Sequence, residues 1–476
     1  MLPAVTRDFA EVVMDVVDPA VEETEQNPPR LGADGRIEFD PAYHRAGRAV
    51  WASGIVGAAA PEQASLFYLL AHAGEGGHAC PVVCTAGLIR ALKAYASDEL
   101  RERFLPPLLE TDYDLAQRGA QFLTERHGGS DVGANRVEAV PDGAGWRLHG
   151  EKWFCSVADA DQFLVTARPR GAPEGTRGIG CFLVPRFGGG FRIRRLKDKL
   201  GTRALATGEI EFEGSPAYPL GPLEEGFRTA VGVLNTSRWL NALGSAGLMR
   251  RAFMVASEFA REREAFGRVI SDYPLVRENL AVMRAEADGA LASSMELTEV
   301  VDRIDKGVAG EEDVAWHRLL VNANKFVTSL AATKVVRRGI EALGGNGTIE
   351  DFSPLPRLYR DAIVFESWEG THNVLCAQVL RDLTRLDAVD LVVGRSGASE
   401  ELASRLRRSV EDPTFGALHG RRQLDELVRS LQVMALRSRE PDAAELLRRR
   451  HLAPGWDPES DADYPDLIDR VLGAEA

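Results

Sequence analysis

The sequence has few cysteines and lacks any long run of apolar residues. Its five cysteines are odd in number and scattered over 476 residues, which predicts a reduced, cytoplasmic protein without a disulfide framework. The most apolar stretch, residues 49–60, is followed at once by Pro61-Glu62, so no segment reaches membrane-spanning length. The first residues show no cationic stretch before an apolar core, so we expect no secretory signal.

The chain also has fewer basic residues than acidic ones. The chain has 57 basic and 71 acidic residues, a formal net charge of -14. This balance disfavours broad binding to nucleic acids and to anionic membranes, so we expect neither as a partner. Only seven of the basic residues are lysine, which we attribute to genome composition. The length allows two or three domains or one large multi-layer unit.

Several common catalytic and nucleotide-binding motifs are missing. The chain has no Walker A sequence and no G-x-S-x-G, so the sequence does not indicate an α/β-hydrolase. Residues 74–79 fit a loose G-x-G-x-x-A, with Asp98 about twenty residues further on as a Rossmann site requires. The preceding SLFYLLAHA has a helical pattern, however, and no alternation of strands and helices surrounds it. We therefore interpret these glycines as a connection between helices.

The same region holds two histidines and two cysteines. A zinc site is one interpretation of His72, His78, Cys80 and Cys84, but their spacing is not that of a familiar structural site. Buried thiols and a loop histidine explain the residues more simply. We predict no metal.

The pattern of apolar residues changes along the chain. Residues 1–118 have helical periodicity, as in 84–110. Short alternating runs broken by Gly, Pro and Asp then predict an antiparallel sheet over 119–222, including 146–154, 162–169, 180–187 and 208–214. Long helical patterns return over 223–385, and a further helical, Arg-rich segment follows over 386–476. Helices, then a sheet, then helices predict an α+β architecture rather than a doubly wound sheet.

Two segments of the predicted sheet suit a flat ligand. In QFLTERHGGSDVGANRV (121–137), the pair Gly128-Gly129 lets the backbone approach a ligand while hydroxyls and N–H groups offer neutral donors. In EKWFCS (151–156), an aromatic pair precedes a hydroxyl. A hairpin turn with an Asx or Ser cap would explain the first segment alone. Together the two segments indicate a site for a planar heterocycle.

A single carboxylate lies before the last strong helical pattern. In FESWEGTHNVLC, Glu369 precedes Gly370-Thr371 and then an apolar run with helical spacing. An acid in this place is typical of a helix N-terminus, where the helix dipole favours negative charge. The segment alone does not separate that explanation from a catalytic one.

Five motifs occur in order and carry a family resemblance: T-E-x-x-G-G-S-D, G-x-K-W-F-x-S, R-E-x-x-F-G, A-L-G-G-x-G and W-E-G-T. Together they resemble the FAD-dependent acyl-CoA dehydrogenase superfamily, and most closely its AidB-like branch, over about residues 25–385. The resemblance implies an N-terminal helical domain, a middle antiparallel β-domain and a C-terminal four-helix domain. Residues 386–476 would add further helices.

The resemblance also implies FAD as the cofactor. The residues that would bind it from the middle domain are Leu123, Thr124, Ser130, Phe154 and Ser156. Those that would bind the FAD of an adjoining subunit are Arg263, Phe266, Gly344, Gly345 and Gly347, while Thr371 and Asn373 would also contact FAD. Because the family completes this site across a subunit interface, we expect a homodimer or homotetramer.

In family terms, Glu369 resembles the general base that removes the α-proton of an acyl-CoA or related acyl thioester. Such a proton is weakly acidic, so the carboxylate must be partly desolvated to be basic enough. Electrons would then leave through an electron-transferring flavoprotein or oxygen. Some relatives carry the base where this chain has Ser237, so no rival base stands there. Arg238 matches an arginine close to the base, although a helix-face arginine paired with an acid remains an alternative.

The sequence departs from the family in three places. Phe154 replaces a common Trp, and Pro274 stands where many relatives have Gln. The segment 386–476 holds 13 Arg against 18 Asp and Glu, which disfavours the DNA role proposed for the AidB-like branch. The alternatives are a flavin monooxygenase or specialised oxidase on the same fold, and an AidB-like stress-response or DNA-associated flavoprotein. Acyl length, branching and carrier do not follow from the sequence.

Overall fold

The computed structural model describes residues 4–143 and 145–473. The chain divides into two units. The first comprises residues 1–66 and 75–237, and the second comprises residues 67–74 and 238–476. Each unit therefore contains two separate stretches of chain.

The N-terminal part is helical, as its periodicity predicts. Its helices are α1 (Ala4–Val12), α2 (Asp18–Gln26), α3 (Pro41–Ala52), α4 (Ala60–Leu70), α5 (Ala79–Tyr95) and α6 (Asp98–Phe104). A short antiparallel pair, β1 (Arg30–Leu31) and β2 (Ile37–Glu38), interrupts them. The predicted run 84–110 divides into two helices because the Ser97 side chain accepts from the N–H of Leu100 and starts a new N-terminus. The glycines of 74–79 connect helical segments, as predicted.

A seven-stranded sheet forms the middle of the chain. Its strands are β3 (Gly119–Phe122), β4 (Glu138–Asp142), β5 (Gly145–Ser156), β6 (Gln162–Pro169), β7 (Gly180–Pro185), β8 (Phe191–Leu196) and β9 (Thr207–Pro219). They follow the order β3-β6-β4-β5-β9-β7, with β8 paired to β9 and β7 also paired to β6. Each predicted strand is present. The sheet is mixed rather than wholly antiparallel, because both β3 and β4 run parallel to β6.

Aromatic side chains fill the core of the sheet. Phe122 and Phe163 lie on adjacent parallel strands with ring centroids 4.7 Å apart, and Phe182 and Phe212 are buried on neighbouring strands. Burial of each such side chain contributes roughly 2–3 kcal/mol. This core makes the sheet a rigid base for the loops that follow its strands.

The second unit is built from long helices. They are α7 (Gly226–Glu262), which spans the division between the units, α8 (Pro274–Asp305), α9 (Glu311–Ala342), α10 (Leu355–Ser367) and α11 (His372–Leu386). Between α7 and α8, β10 (Glu264–Ala265) and β11 (Arg268–Val269) form a small hairpin. Gly344 follows the end of α9 with a φ of 61°, a left-handed conformation suited to glycine at a helix C-terminus.

The last segment is helical, as predicted. It contains α12 (Val389–Ser396), α13 (Glu400–Glu411), α14 (Pro413–Leu436), α15 (Pro441–Leu452) and α16 (Tyr464–Leu472). Leu436, Leu447 and Leu467 from these helices belong to the same buried cluster as Met249 and Leu280 of α7 and α8. The added segment therefore shares the core of the second unit. In the part of the chain described, none of the helices combines the length and apolarity needed to cross a bilayer.

One buried ion pair ties the loop after β3 to the sheet. Lys152 is fully buried on β5, and its Nζ donates to Glu125 Oε1 (2.8 Å) and to the carbonyl of Leu123 (2.9 Å). The other oxygen of Glu125 accepts from the N–H of Arg136 (2.6 Å). Burial lowers the pKa of Lys152, while Glu125 opposes that shift. The ion pair thus fixes both ends of the Gly-rich loop between Glu125 and Arg136.

Replacing Lys152 by methionine is expected to lower the free energy of unfolding by about 3–5 kcal/mol, because it leaves the Glu125 carboxylate buried without its cation. Urea denaturation measures the change. Lys306→Met is the matched control, since Lys306 forms an exposed pair with Asp302 and its loss is expected to cost about 0.5 kcal/mol or less. Equal losses in the two variants would contradict the prediction.

Candidate active site

Glu369 lies in a short connection between α10 and α11 with an unusual backbone conformation. Its φ is 56°, in the left-handed region that non-glycine residues rarely adopt, and Gly370 follows with a φ of 104°. Such a conformation costs about 1–2 kcal/mol at a non-glycine residue and persists only where the surroundings hold it. Thr371, not Glu369, occupies the N-cap position of α11. The helix-cap explanation of Glu369 is therefore wrong for this structure.

Two buried cations hold this connection by its carbonyl groups. Lys325 of α9 is fully buried, and its Nζ donates to the carbonyls of Glu366 (2.9 Å) and Gly370 (3.2 Å). Arg238 of α7 is also buried, and its Nε donates to the carbonyl of Glu369 itself (2.9 Å). Charge-assisted hydrogen bonds of this kind are stronger than neutral ones. They account for the strained backbone at Glu369.

Arg238 is itself held by neutral amides. Its Nη1 donates to Asn322 Oδ1 (2.6 Å) and to Gln378 Oε1 (3.3 Å). The amide group of Asn322 in turn donates to the backbone carbonyl of Arg318 (2.6 Å). The guanidinium of Arg318 donates two hydrogen bonds of 2.8 Å to the carboxylate of Asp382. These partners orient the Arg238 guanidinium beside the connection that holds Glu369.

Burial and charge act in opposite directions on the ionisable groups here. Burial raises the pKa of Glu369 from its ordinary value, while Arg238 and Lys325 pull it down. Burial also lowers the pKa of Lys325 to about 7, against the pull of Glu369, and lowers the pKa of Arg238 to about 10. A carboxylate with a raised pKa is a stronger base than one in water. The arrangement therefore suits removal of a weakly acidic proton.

Sequence reasoning found Glu369 and Arg238 but missed Lys325, Asn322 and Gln378. Lys325 and Asn322 lie in a buried stretch of α9, where the only available signal was a lysine among apolar residues in a lysine-poor chain. Their partners are far away in sequence, so no local pattern indicated them. Thr371 and Asn373, also expected near the cofactor, are exposed at the start of α11.

In the first unit, four of the predicted cofactor-binding residues lie close together, two just after β3 and two near the end of β5. The N–H of Trp153 donates to the carbonyl of Thr124 (2.9 Å), which brings Leu123 and Thr124 beside the segment that holds Phe154 and Ser156. The Phe154 side chain is 55% exposed, a large fraction for an aromatic residue on a sheet. The surface offers an aromatic face beside small hydroxyls.

Two neighbouring groups complete this surface. Lys197 Nζ lies 4.8 Å from the ring centroid of Phe154, and Ser156 Oγ lies 3.3 Å from Thr207 Oγ1. Ser130 is exposed in the loop after Gly128-Gly129. An exposed aromatic ring, hydroxyls and a glycine-rich loop fit a planar, phosphate-bearing cofactor such as FAD.

In the second unit, the remaining predicted residues lie on two separate turns. Arg263 comes immediately before β10, and Phe266 lies at the tip of the β10–β11 hairpin, where it has a φ of 52° and is 98% exposed. Gly344, Gly345 and Gly347 form the 3₁₀ turn after α9. A Cβ at Gly347 would collide with the carbonyl oxygen of Ile340, so only glycine fits there. An exposed phenylalanine and an open glycine turn are suited to contact with a ligand.

The residues considered for zinc do not form a metal centre. Cys80 and Cys84 are buried with their Sγ atoms 3.7 Å apart, and the His78 ring bonds the carbonyl of Tyr43 (2.8 Å). Within residues 4–143 and 145–473, no group of three or more His, Cys, Asp or Glu side chains is placed to hold a metal ion.

Three family models match successive parts of the chain. The adaptive response protein AidB N-terminal domain matches residues 25–115, the acyl-CoA dehydrogenase middle domain matches 120–215 and the acyl-CoA dehydrogenase C-terminal domain matches 224–384. The Escherichia coli (strain K12) protein named "Putative acyl-CoA dehydrogenase AidB" is 35% identical over 431 residues, which cover 81% of this chain and 76% of that protein.

Solved structures show the same likeness. The structure described as "Bd2924 apo-form" superposes with a TM-score of 0.85 at 30% identity and covers 92% of this chain and 94% of that one. Caenorhabditis elegans ACDH-11 in complex with C11-CoA has a TM-score of 0.82 at 25% identity, with coverage of 95% and 90%. The predicted α+β fold, with its helical, β and helical parts, is confirmed. The chain belongs to the acyl-CoA dehydrogenase family of FAD-dependent oxidoreductases and carries an AidB-type N-terminal domain.

Proposed function

We propose that this protein oxidises the α,β bond of an acyl-CoA or related acyl thioester, with Glu369 as the base that takes the α-proton. The observation that carries the proposal is a carboxylate of raised pKa on a strained backbone, held by two buried cations. The complex of the Caenorhabditis elegans relative with C11-CoA supports a CoA thioester as the substrate class. The product would be a trans-2-enoyl thioester.

The residues of this chain have distinct roles in the proposal. The Glu369 carboxylate accepts the α-proton, while Arg238 positions the Glu369 backbone through its carbonyl. The chemistry that bound FAD supplies is acceptance of the β-hydrogen as hydride. The residues proposed to hold FAD from the first unit are Leu123, Thr124, Ser130, Phe154 and Ser156.

The FAD of an adjoining subunit would contact the second unit. The residues proposed for this contact are Arg263, Phe266, Gly344, Gly345 and Gly347, with Thr371 and Asn373 beside the catalytic connection. This proposal includes a homo-oligomer, a dimer or tetramer, because a neighbouring chain supplies part of the cofactor site. The 98% exposure of Phe266 supports it, since a bare phenylalanine at a hairpin tip gains stability when covered.

The arginines of the last segment are largely engaged with acids. Arg405 pairs with Glu426, Arg407 with Asp390 and Glu400, and Arg449 with Glu445 and Asp461. Pairing of this kind removes the clustered positive charge that DNA binding requires. It supports an enzymatic role over a DNA-associated one.

Anaerobic mixing of the FAD-loaded protein with saturated acyl-CoAs of increasing length tests the proposal. We expect at least one acyl-CoA to bleach the visible flavin absorbance, with the matching 2-enoyl-CoA as product. A matched set of 2-enoyl-CoAs, which lack the bond to be oxidised, is the control and is expected to leave the flavin oxidised. Absence of bleaching with every chain length would remove the dehydrogenase proposal. Regeneration by electron-transferring flavoprotein or by oxygen then identifies the acceptor.

A further inference from the structure

A cavity lies among helices α8, α9, α14 and α15 of the second unit, where the added C-terminal segment packs. Its volume is about 400 Å³. Five cationic side chains line it, against two carboxylates. The cationic residues are Lys334, Arg337 and Arg338 of α9, Arg429 of α14 and Arg450 of α15. None of them has a role in the proposed dehydrogenation.

One of the two lining carboxylates is already neutralised by the wall of the cavity. Glu286 of α8 accepts from Arg429 Nη1 (2.6 Å) and contacts His451 Nε2 (2.7 Å). Burial alone would raise the pKa of Glu286, but Arg429 and His451 outweigh it and hold the pKa well below its usual range. Arg450 lies 3.5 Å from Glu278 and also donates to Tyr464 Oη (3.2 Å). The α14 and α15 cations are thus partnered by protein groups.

The three cations of α9 differ from Arg429 and Arg450 in their surroundings. Arg338 donates to the neutral amide of Asn279 (2.8 Å), and Lys334 and Arg337 are exposed. The second lining carboxylate, Glu341, lies on α9 as well, four positions after Arg337 and three after Arg338. Lys334 repels Arg337 and Arg338 by about 0.2–0.5 kcal/mol per pair at this spacing, and Glu341 attracts the two arginines by similar amounts. This face of α9 therefore carries three cations against one carboxylate, a net positive charge that an external anion would neutralise.

We propose that this cavity binds a small molecule through a phosphate or diphosphate group, with Lys334, Arg337 and Arg338 as its ligands. Arginine matches phosphate oxygens through paired N–H donors, and lysine adds a compact charge. The volume exceeds what inorganic phosphate alone fills and admits a diphosphate with part of its substituent. Because the added segment supplies one wall through Arg429 and Arg450, ligand binding would link that segment to α9.

Isothermal titration calorimetry with inorganic diphosphate tests the proposal on the FAD-loaded full chain. We expect saturable binding of one diphosphate per chain in the unaltered protein. Binding is expected to weaken at least about tenfold in the double variant Lys334→Gln/Arg337→Gln, which removes two charge-assisted contacts. The matched control is Lys306→Gln/Arg385→Gln, which removes the same charges from exposed positions elsewhere in the second unit and is expected to leave binding unchanged.

The outcomes separate this site from the dehydrogenation site. Flavin content and thioester-driven bleaching are expected to be the same in the double variant as in the unaltered protein, so loss of diphosphate binding cannot be ascribed to unfolding. No saturable binding, or equal weakening in the control, would overturn the proposal. Binding of a DNA duplex without binding of diphosphate would also overturn it, because the ligand would then be a macromolecule.

Discussion

Replacement of Glu369 by glutamine is expected to slow flavin reduction by an acyl-CoA about 10²- to 10⁴-fold, the usual contribution of a general base. Glutamine keeps the size of the side chain and leaves the backbone contacts from Arg238 and Lys325 in place. Substrate affinity is therefore expected to change little while the reduction rate falls. Stopped-flow absorbance under anaerobic conditions measures both quantities.

The acid limb of the pH profile provides a second measurement of the same residue. Only the ionised carboxylate accepts a proton, so the reduction rate rises with pH through the pKa of Glu369. Burial raises that pKa, so the limb is expected above the ordinary range for glutamate and to be absent in Glu369→Gln. Glu312→Gln, an exposed acid in the first turn of α9, is the matched control. Equal rates in Glu369→Gln and the control would refute the assignment of the base.

Replacement of Lys325 by methionine is expected to slow flavin reduction about 10- to 100-fold, because small displacements of a catalytic group have effects of this size. Methionine fills similar space but donates nothing, so the carbonyls of Glu366 and Gly370 lose their partner. The positive charge of Lys325 lowers the pKa of Glu369. Its removal is therefore expected to raise that pKa and to move the acid limb to higher pH.

Two controls separate positioning from general destabilisation. Lys306→Met makes the same change at an exposed position and is expected to leave both rate and acid limb unchanged. Lys325→Arg retains a cation, so the acid limb is expected to stay nearer its original position even if the larger group slows the reaction. An unshifted acid limb in Lys325→Met would show that Lys325 has only a structural role.

The sequence was most informative where the physical cause is local. Each predicted strand from 146 to 214 is present, because alternation and turn residues are properties of adjacent positions. The parallel pairing of β3 with β6 joins residues more than forty positions apart and has no local signal. The same applies to residues 67–74, which belong to the second unit although helical sequence of the first unit lies on both sides. The boundaries given for the four sequence segments remain predictions.

In the candidate site, too, local motifs were visible in the sequence and contacts between distant residues were not. The W-E-G-T motif identified Glu369, and a family match identified Arg238. The strain at Glu369 depends on Lys325, which reaches carbonyls 41 and 45 positions along the chain. A lysine inside an apolar helical stretch is ambiguous until its partners are known, since burial without acceptors would be prohibitively costly.

Because lysine is scarce, chemical modification of individual lysines can report on the opening of each unit. Lys152 in the first unit and Lys325 in the second are wholly enclosed, whereas Lys93, Lys306 and Lys334 are exposed. An amine-acylating reagent followed by peptide mass spectrometry would thus modify the outer lysines at once and each enclosed lysine only when its own unit opens. The native chain contains one chemical reporter of opening for each unit, without any introduced probe.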